Sequence, residues 1–201
     1  MELPRALAQI AEIREQVART DVYRGYRSVP IAASGVIGLA AAWLQHSALG
    51  SDPVGFVIYW LTTAACAGFV GISEIVYNYV VHDEATARRH TRSVVGQMMP
   101  SLLGAVIITA AVVRSSTAFV PFLPGIWAIC FGIGIFASRP YLVRASGWIA
   151  LYFYAVGIAL LWVAGPATMN PWAVGGTFGL GQLMTAAVLY WNLEHEKEAN
   201  S

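Results

Sequence analysis

The chain has 201 residues, 57% of them hydrophobic and 11% charged, with a net charge of +1. A soluble domain carries roughly 25% charged residues. Too few charges remain here to cover a water-facing surface, and the near-neutral balance excludes a nucleic-acid partner.

The charges are also segregated. Only Asp52 and Glu74 are ionised between Ser28 and His82, only Arg114, Arg139 and Arg144 between Ser93 and Ser146, and nothing at all from Gly147 to Asn192. Residues 1–28 come first as a cytoplasmic segment. Leu3, Leu7, Ile10, Ile13 and Val17 recur at helical spacing, and Arg5, Glu12, Arg14, Glu15 and Arg19 fill the other face. This predicts an amphipathic helix that is too charged to span a membrane. Tyr23, Arg24, Tyr26 and Arg27 then form an aromatic and basic anchor at a membrane boundary. No cleavable signal peptide is expected, because the first apolar run follows this polar stretch without a small-residue cleavage context.

Six apolar runs occupy 29–192, at about 29–48, 54–81, 97–113, 120–138, 146–164 and 171–192. A span needs roughly 20 apolar residues, so the second run is long enough to project beyond the bilayer and the fourth is short. Gly50-Ser51-Asp52-Pro53, Pro121 with Pro124, Gly165-Pro166 and Asn170-Pro171 punctuate the runs. The residues 193–201 form a polar tail. The predicted fold is therefore an all-α membrane protein, a bundle of six transmembrane helices in three hairpins behind an amphipathic helix.

Orientation follows from the basic residues. With the N-terminus inside, Arg5, Arg14, Arg19, Arg24, Arg27, Arg88, Arg89, Arg92, Arg139, Arg144 and Lys197 all lie on the cytoplasmic side and only Arg114 lies outside. Cytoplasmic enrichment of Lys and Arg is the rule for such proteins. It predicts both termini in the cytoplasm and, from this pattern, a bacterial inner membrane.

Runs two, four and six share a stripe: Ala67, Gly71, Glu74, Asn78; Ala128, Gly132, Ile135, Arg139; and Gly175, Gly179, Gln182, Ala186. Spacings of four, three and four keep one helix face, and small residues four apart let backbones approach closely in lipid. A phenylalanine precedes the second small residue each time, at Phe69, Phe131 and Phe178. Convergent packing is the plainer explanation, and triplication of a hairpin the sharper one.

Candidate ligand-binding residues sit on these stripes. Glu74 is a carboxylate in an apolar run, which is costly unless it is paired or meets water. It lies about 20 residues past Pro53, roughly 30 Å along a helix, near the cytoplasmic boundary. Arg139, at the same depth on a parallel helix, is its expected partner, and Asn78 is one turn away. Gln182 lies close to the midplane, where an amide must find a partner on another helix. Each has a structural alternative: an interfacial ion pair, a positive-inside anchor, or interhelical glue.

No catalytic residue, cofactor or metal site is expected. His46, His82, His90 and His195 all fall near run ends, which argues against a membrane haem. Arg88, Arg89 and Arg92 oppose a cation beside His82, Asp83, Glu84 and His90. Ser34 and Ser73 have no histidine partner of the kind an intramembrane serine protease uses. There is no His-Glu-x-x-His motif, phosphate loop or dinucleotide fingerprint. Cys66 and Cys130 read as small apolar residues.

The segments Leu123-Pro124-Gly125-Ile126-Trp127, Gly134-Ile135-Phe136-Ala137-Ser138 and Phe178-Gly179-Leu180-Gly181-Gln182 resemble those of small six-helix membrane proteins found in many bacterial genomes. That resemblance implies the architecture and no activity. In size and topology the chain is also similar to the substrate-binding subunits of vitamin importers, whose first helix carries an alanine-rich coupling stripe; Ala40, Ala41 and Ala42 are the corresponding residues here. The functional expectation is a binder or transporter of a small solute, with a polar site of Glu74, Asn78, Arg139 and Gln182. The alternative is a non-transporting regulatory or accessory protein that docks a cytoplasmic partner through its N-terminal helix and basic loops. Besides the lipid bilayer, the expected partner is a second copy of the chain, with the sixth run and the N-terminal helix as the contacts.

Overall fold

A computed structural model describes residues 28–48, 52–81 and 85–194. Those residues are almost wholly helical, with no strand among them. Helices suit an apolar chain of this kind, because in lipid every backbone donor and acceptor must be satisfied within its own segment. The elements are α1 (Ser28–Ala48), α2 (Pro53–Val81), α3 (Ala85–Ser115), α4 (Leu123–Ser138), α5 (Ser146–Trp162) and α6 (Pro171–Leu189). Short 3-10 turns at Thr117–Phe122, Arg139–Tyr141 and Pro166–Met169 join the later helices, and α6 runs on through a π-helical turn at Tyr190–Glu194.

Five stretches are long and apolar enough to cross a membrane: Ser28–Gln45, Pro53–Ser73, Arg92–Ser115, Thr117–Tyr141 and Pro171–Asn192. The chain is thus an all-α membrane protein by the length and composition of its helices. The apolar helix α5 is shorter, 17 residues, or about 25 Å at the standard rise. The expected amphipathic helix, the loop 82–84 and the tail beyond 194 lie outside the described residues.

Three of the sequence breaks act as helix starts. Asp52 caps α2, its Oδ2 accepting from the Gly55 N–H at 2.7 Å, with Pro53 in the first turn. Asn170 does the same for α6, accepting from the Trp172 N–H at 3.0 Å ahead of Pro171. Pro124 opens α4. Proline fits a first turn because its missing N–H would have no intrahelical partner there. The third apolar run, 97–113, lies within a longer helix, since α3 begins at Ala85 and continues through Pro100. Residues 85–96 are helical and polar, so a hydropathy reading sees only the apolar part.

The helices neighbour one another in the order α2, α1, α6, α5, α4, α3, and the ends of this series, α2 and α3, touch only lightly. Helices of each expected hairpin do meet, but the tightest pairs are α1 with α6 and α4 with α5, which run across the hairpin boundaries. Both tight pairs are glycine seams. A Cβ at Gly175 would fall 2.5 Å from the Gly38 carbonyl oxygen and 2.5 Å from the Ala42 Cβ, and one at Gly179 would fall 3.1 Å from the Gly35 carbonyl oxygen. In the other seam, Gly125 and Gly157 face each other's carbonyls at 2.8 and 2.9 Å.

Three apolar clusters fill the bundle. Ala41, Ala42, Phe56, Val57, Trp60, Val120, Leu123 and Val174 make one at the Asp52 end. Ala128, Ile135, Ile149, Ala150 and Phe153 make a central one. Ile31, Val143, Ala186 and Leu189 close the end that carries Arg139. In the centre the rings of Phe131, Phe153 and Phe178 meet in pairs at 4.9–5.5 Å between centroids. Separations in this range favour tilted and edge-to-face aromatic contacts.

Candidate functional site

The candidate residues divide between two places. Glu74 and Asn78 lie on the α2 helix, but their side chains fall outside what is described, so the expected pairing of Glu74 with Arg139 remains a proposal. Arg139 follows the last residue of α4, and Pro140 and a 3-10 turn then take the chain to α5. Its guanidinium lies 5.9 Å from the centre of the Phe136 ring and rests on the first turn of α5. A Cβ at Gly147 would come within 3.3 Å of its Nε and 3.4 Å of its Cζ. Among the described residues Arg139 has no carboxylate partner.

Gln182 belongs to the other seam. It sits on α6 beside α1, its Cβ 3.2 Å from where a Cβ on Gly35 would stand. The side chain is half-buried, and its amide makes no hydrogen bond among the described residues. Arg139 is packed on α5 and Gln182 on α1, so the described contacts do not join them into one site.

The structure brings forward polar groups that the sequence reading passed over. Gln45 is 5% exposed with its Oε1 unpartnered, and Trp60 is 4% exposed with its Nε1 unpartnered. Both belong to the half of the bundle nearer Asp52. The rule that singled out Gln182, an amide inside an apolar run, applies equally to Gln45; its closeness to the Gly50–Pro53 break hid it. Several other buried polar groups are satisfied. The Trp127 indole donates to Thr109 Oγ1 at 2.8 Å, and the Tyr152 hydroxyl donates to the Thr177 carbonyl at 3.0 Å. Thr168 ties two loops at the Asp52 end, its hydroxyl 2.6 Å from the Pro121 carbonyl while it accepts from the Gly165 N–H. These bonds hold elements together.

The expected dimer contact on the sixth run needs correcting. Gly175 and Gly179 are buried against α1 within the chain, so that face is not available to a second copy. Ala41 and Ala42 are likewise internal, at 7% and 0% exposure, and Ala41 accepts from the Tyr59 hydroxyl at 2.6 Å. Among the described residues no group of three or more His, Cys, Asp or Glu could hold a metal ion.

Comparison with protein-family models, curated proteins and solved structures finds no match to this chain. Its function has to be argued from its own residues.

Proposed function

We propose that the protein is a six-span membrane protein, with both termini in the cytoplasm, that binds a small solute or passes it across the membrane. The observation that carries the reading is Gln182. It is a membrane-depth amide without a hydrogen-bond partner among the described residues, half accessible, on a helix thinned by Gly175, Gly176, Gly179 and Gly181. An amide facing only acyl chains would forfeit its hydrogen bonds, whereas an amide meeting water or a polar solute would keep them. Glu74 and Asn78 on α2, with Arg139 at the end of α4, would supply the polar steps between this point and the cytoplasm. The count of spans rests on α5, whose length falls at the short end of what crosses a bilayer, about 17–25 residues.

Cysteine accessibility tests the reading. In a chain with Cys66 and Cys130 replaced by alanine, Gln182→Cys in native membranes should react with a small, membrane-impermeant thiol reagent, and a lipid-facing control at Ile158 should not. Failure of Gln182→Cys to react removes the solute path. A reporter fused after Asn200 checks the topology: activity only in the cytoplasm supports an even number of spans, and periplasmic activity rules it out.

The accessory reading has one observation in its favour. On α2 and α3, Gly68, Gly71, Gly96 and Gly104 have nothing among the described residues within 4 Å of a would-be Cβ, which leaves room for a helix of another protein. A homodimer stays part of the proposal, with its contact elsewhere than on Gly175 and Gly179. Mass measurement in nanodiscs decides between one copy and two.

A further inference from the structure

We infer that the junction of α4 and α5 binds a phosphate group at the membrane boundary, held by Arg139 and Arg144 over the first turn of α5. The inference rests on the membrane reading but not on the solute path through Gln182.

The electrostatics of the junction are incomplete as they stand. The N-terminal end of a helix carries a partial positive charge and favours anions. Here it receives a cation instead: the Arg139 guanidinium lies against Gly147, the second residue of α5. Arg144, exposed, stands in the turn immediately before the helix. The Arg139 guanidinium and the turn that carries Arg144 therefore meet the same helix N-terminus, with no carboxylate beside them among the described residues. The sequence itself has no Asp or Glu between Glu84 and Glu194. An anion between these groups would turn a repulsive arrangement into an attractive one.

The corner is also shaped. Glycine at 147 makes room for the guanidinium, since any side chain there would press on Nε at 3.3 Å, and the Phe136 ring supports it from a second side. Held in this way, a guanidinium keeps a planar fork of donors that matches two phosphate oxygens at once. α5 has no side-chain cap. Its first N–H groups bond to the carbonyls of Val143, Arg144 and Ala145, so the backbone contributes its dipole and the side chains contribute the donors. Ser146, the first residue of α5, is 4% exposed and its Oγ has no partner. A buried hydroxyl without a hydrogen bond is costly, and it leaves the first residue of α5 short of an acceptor. Trp148, 75% exposed one turn into the helix, suits the interfacial depth at which lipid phosphates lie.

The phosphate could come from a phospholipid headgroup or from free phosphate, and the test separates the two. The purified full-length chain in mild detergent is examined by native mass spectrometry and thermal unfolding with phosphatidylglycerol, with diacylglycerol (which lacks the phosphate), and with inorganic phosphate alone. Retention of phosphatidylglycerol at least tenfold above diacylglycerol, with a raised unfolding midpoint, supports the site with lipid as its source. Stabilisation by inorganic phosphate without lipid retention supports it with free phosphate as its source. No preference for either phosphate-bearing probe overturns it. Arg139→Gln should remove the preference and Arg139→Lys should weaken it. Gly147→Ala, which keeps every charge but displaces the guanidinium, should lower it several-fold; unchanged retention there would overturn the assigned geometry. If a variant does not fold, the three wild-type arms still decide.

Discussion

The two glycine seams and the α2–α3 flank are built from the same residue types and end in opposite environments. In the seams, Gly35, Gly175 and Gly179, or Gly125 and Gly157, bring helices close enough that a single methyl group would collide. On the flank, Gly68, Gly71, Gly96 and Gly104 meet none of the described residues. The buried share of each span follows the same division, 39–44% for the spans of α1, α4 and α6 against 17% and 11% for those of α2 and α3. The difference teaches that a small residue in a membrane helix gains its meaning from what faces it. Phe131 and Phe178, from two copies of the shared stripe, meet around Phe153, whereas Phe69 in the third copy is 73% exposed.

The sharpest way to break this comparison is to fill a seam. Gly175→Leu would place a branched side chain where even a Cβ lies 2.5 Å from a backbone carbonyl and 2.8 Å from the Trp60 ring. The carbonyl cannot move without its helix, and the Trp60 ring is itself buried in the core. Overpacking commonly costs about 1–3 kcal/mol, and more where backbone blocks the way, so the variant should lose its folded yield in detergent. A normally folded variant would mean that α1 and α6 are further apart than described.

A smaller effect is expected from emptying the core. Phe153 is fully buried. In soluble proteins Phe→Ala costs about 3–5 kcal/mol, but part of that is transfer from water, and acyl chains are as apolar as a core. The loss in a bilayer should therefore be about 2 kcal/mol, mostly from the cavity. Phe69→Ala should change the same unfolding measurement by less than about 0.5 kcal/mol, as exposed substitutions usually do. Equal losses at the two positions would erase the distinction between core and flank.

Much of this organisation was legible from the chain, and the part that was not has a physical reason. Apolar runs and their Pro, Gly, Asp and Asn breaks located the helices, because membrane depth and helix capping are local demands. The stripes identified Gly175 and Gly179 as contact residues. They could not say that the contact is with α1, five helices back in the chain, since in lipid any close-packing face can serve a neighbour or another molecule. Gln182 was found because an amide stands out in an apolar run. The seat of Arg139 on Gly147 was not found, because it joins residues on either side of a turn and a glycine gives no sign of what approaches it.

The smallest expected effect is at Gly71, and it bears on what covers the flank. Gly71→Ala adds a methyl group where none of the described residues lies within 4 Å. Exchanging glycine for alanine inside a helix recovers about 0.5–1 kcal/mol of backbone entropy, so unfolding should be unchanged or slightly harder. That contrasts with the loss expected at Gly175, and the two together measure how different the faces are. Gly71→Leu extends the comparison, because a larger side chain separates lipid from protein as the neighbour. Acyl chains yield to a leucine at little cost. A second helix packed on Ala67 and Gly71 would not, since small residues four apart are what let such helices approach. If the flank meets only lipid, Gly71→Leu should leave both the unfolding and the mass of the assembly in nanodiscs as they are. If a second chain lies there, the protomer should unfold as before while the assembly falls to a single copy, and that outcome would make the flank an interface where the seams are core.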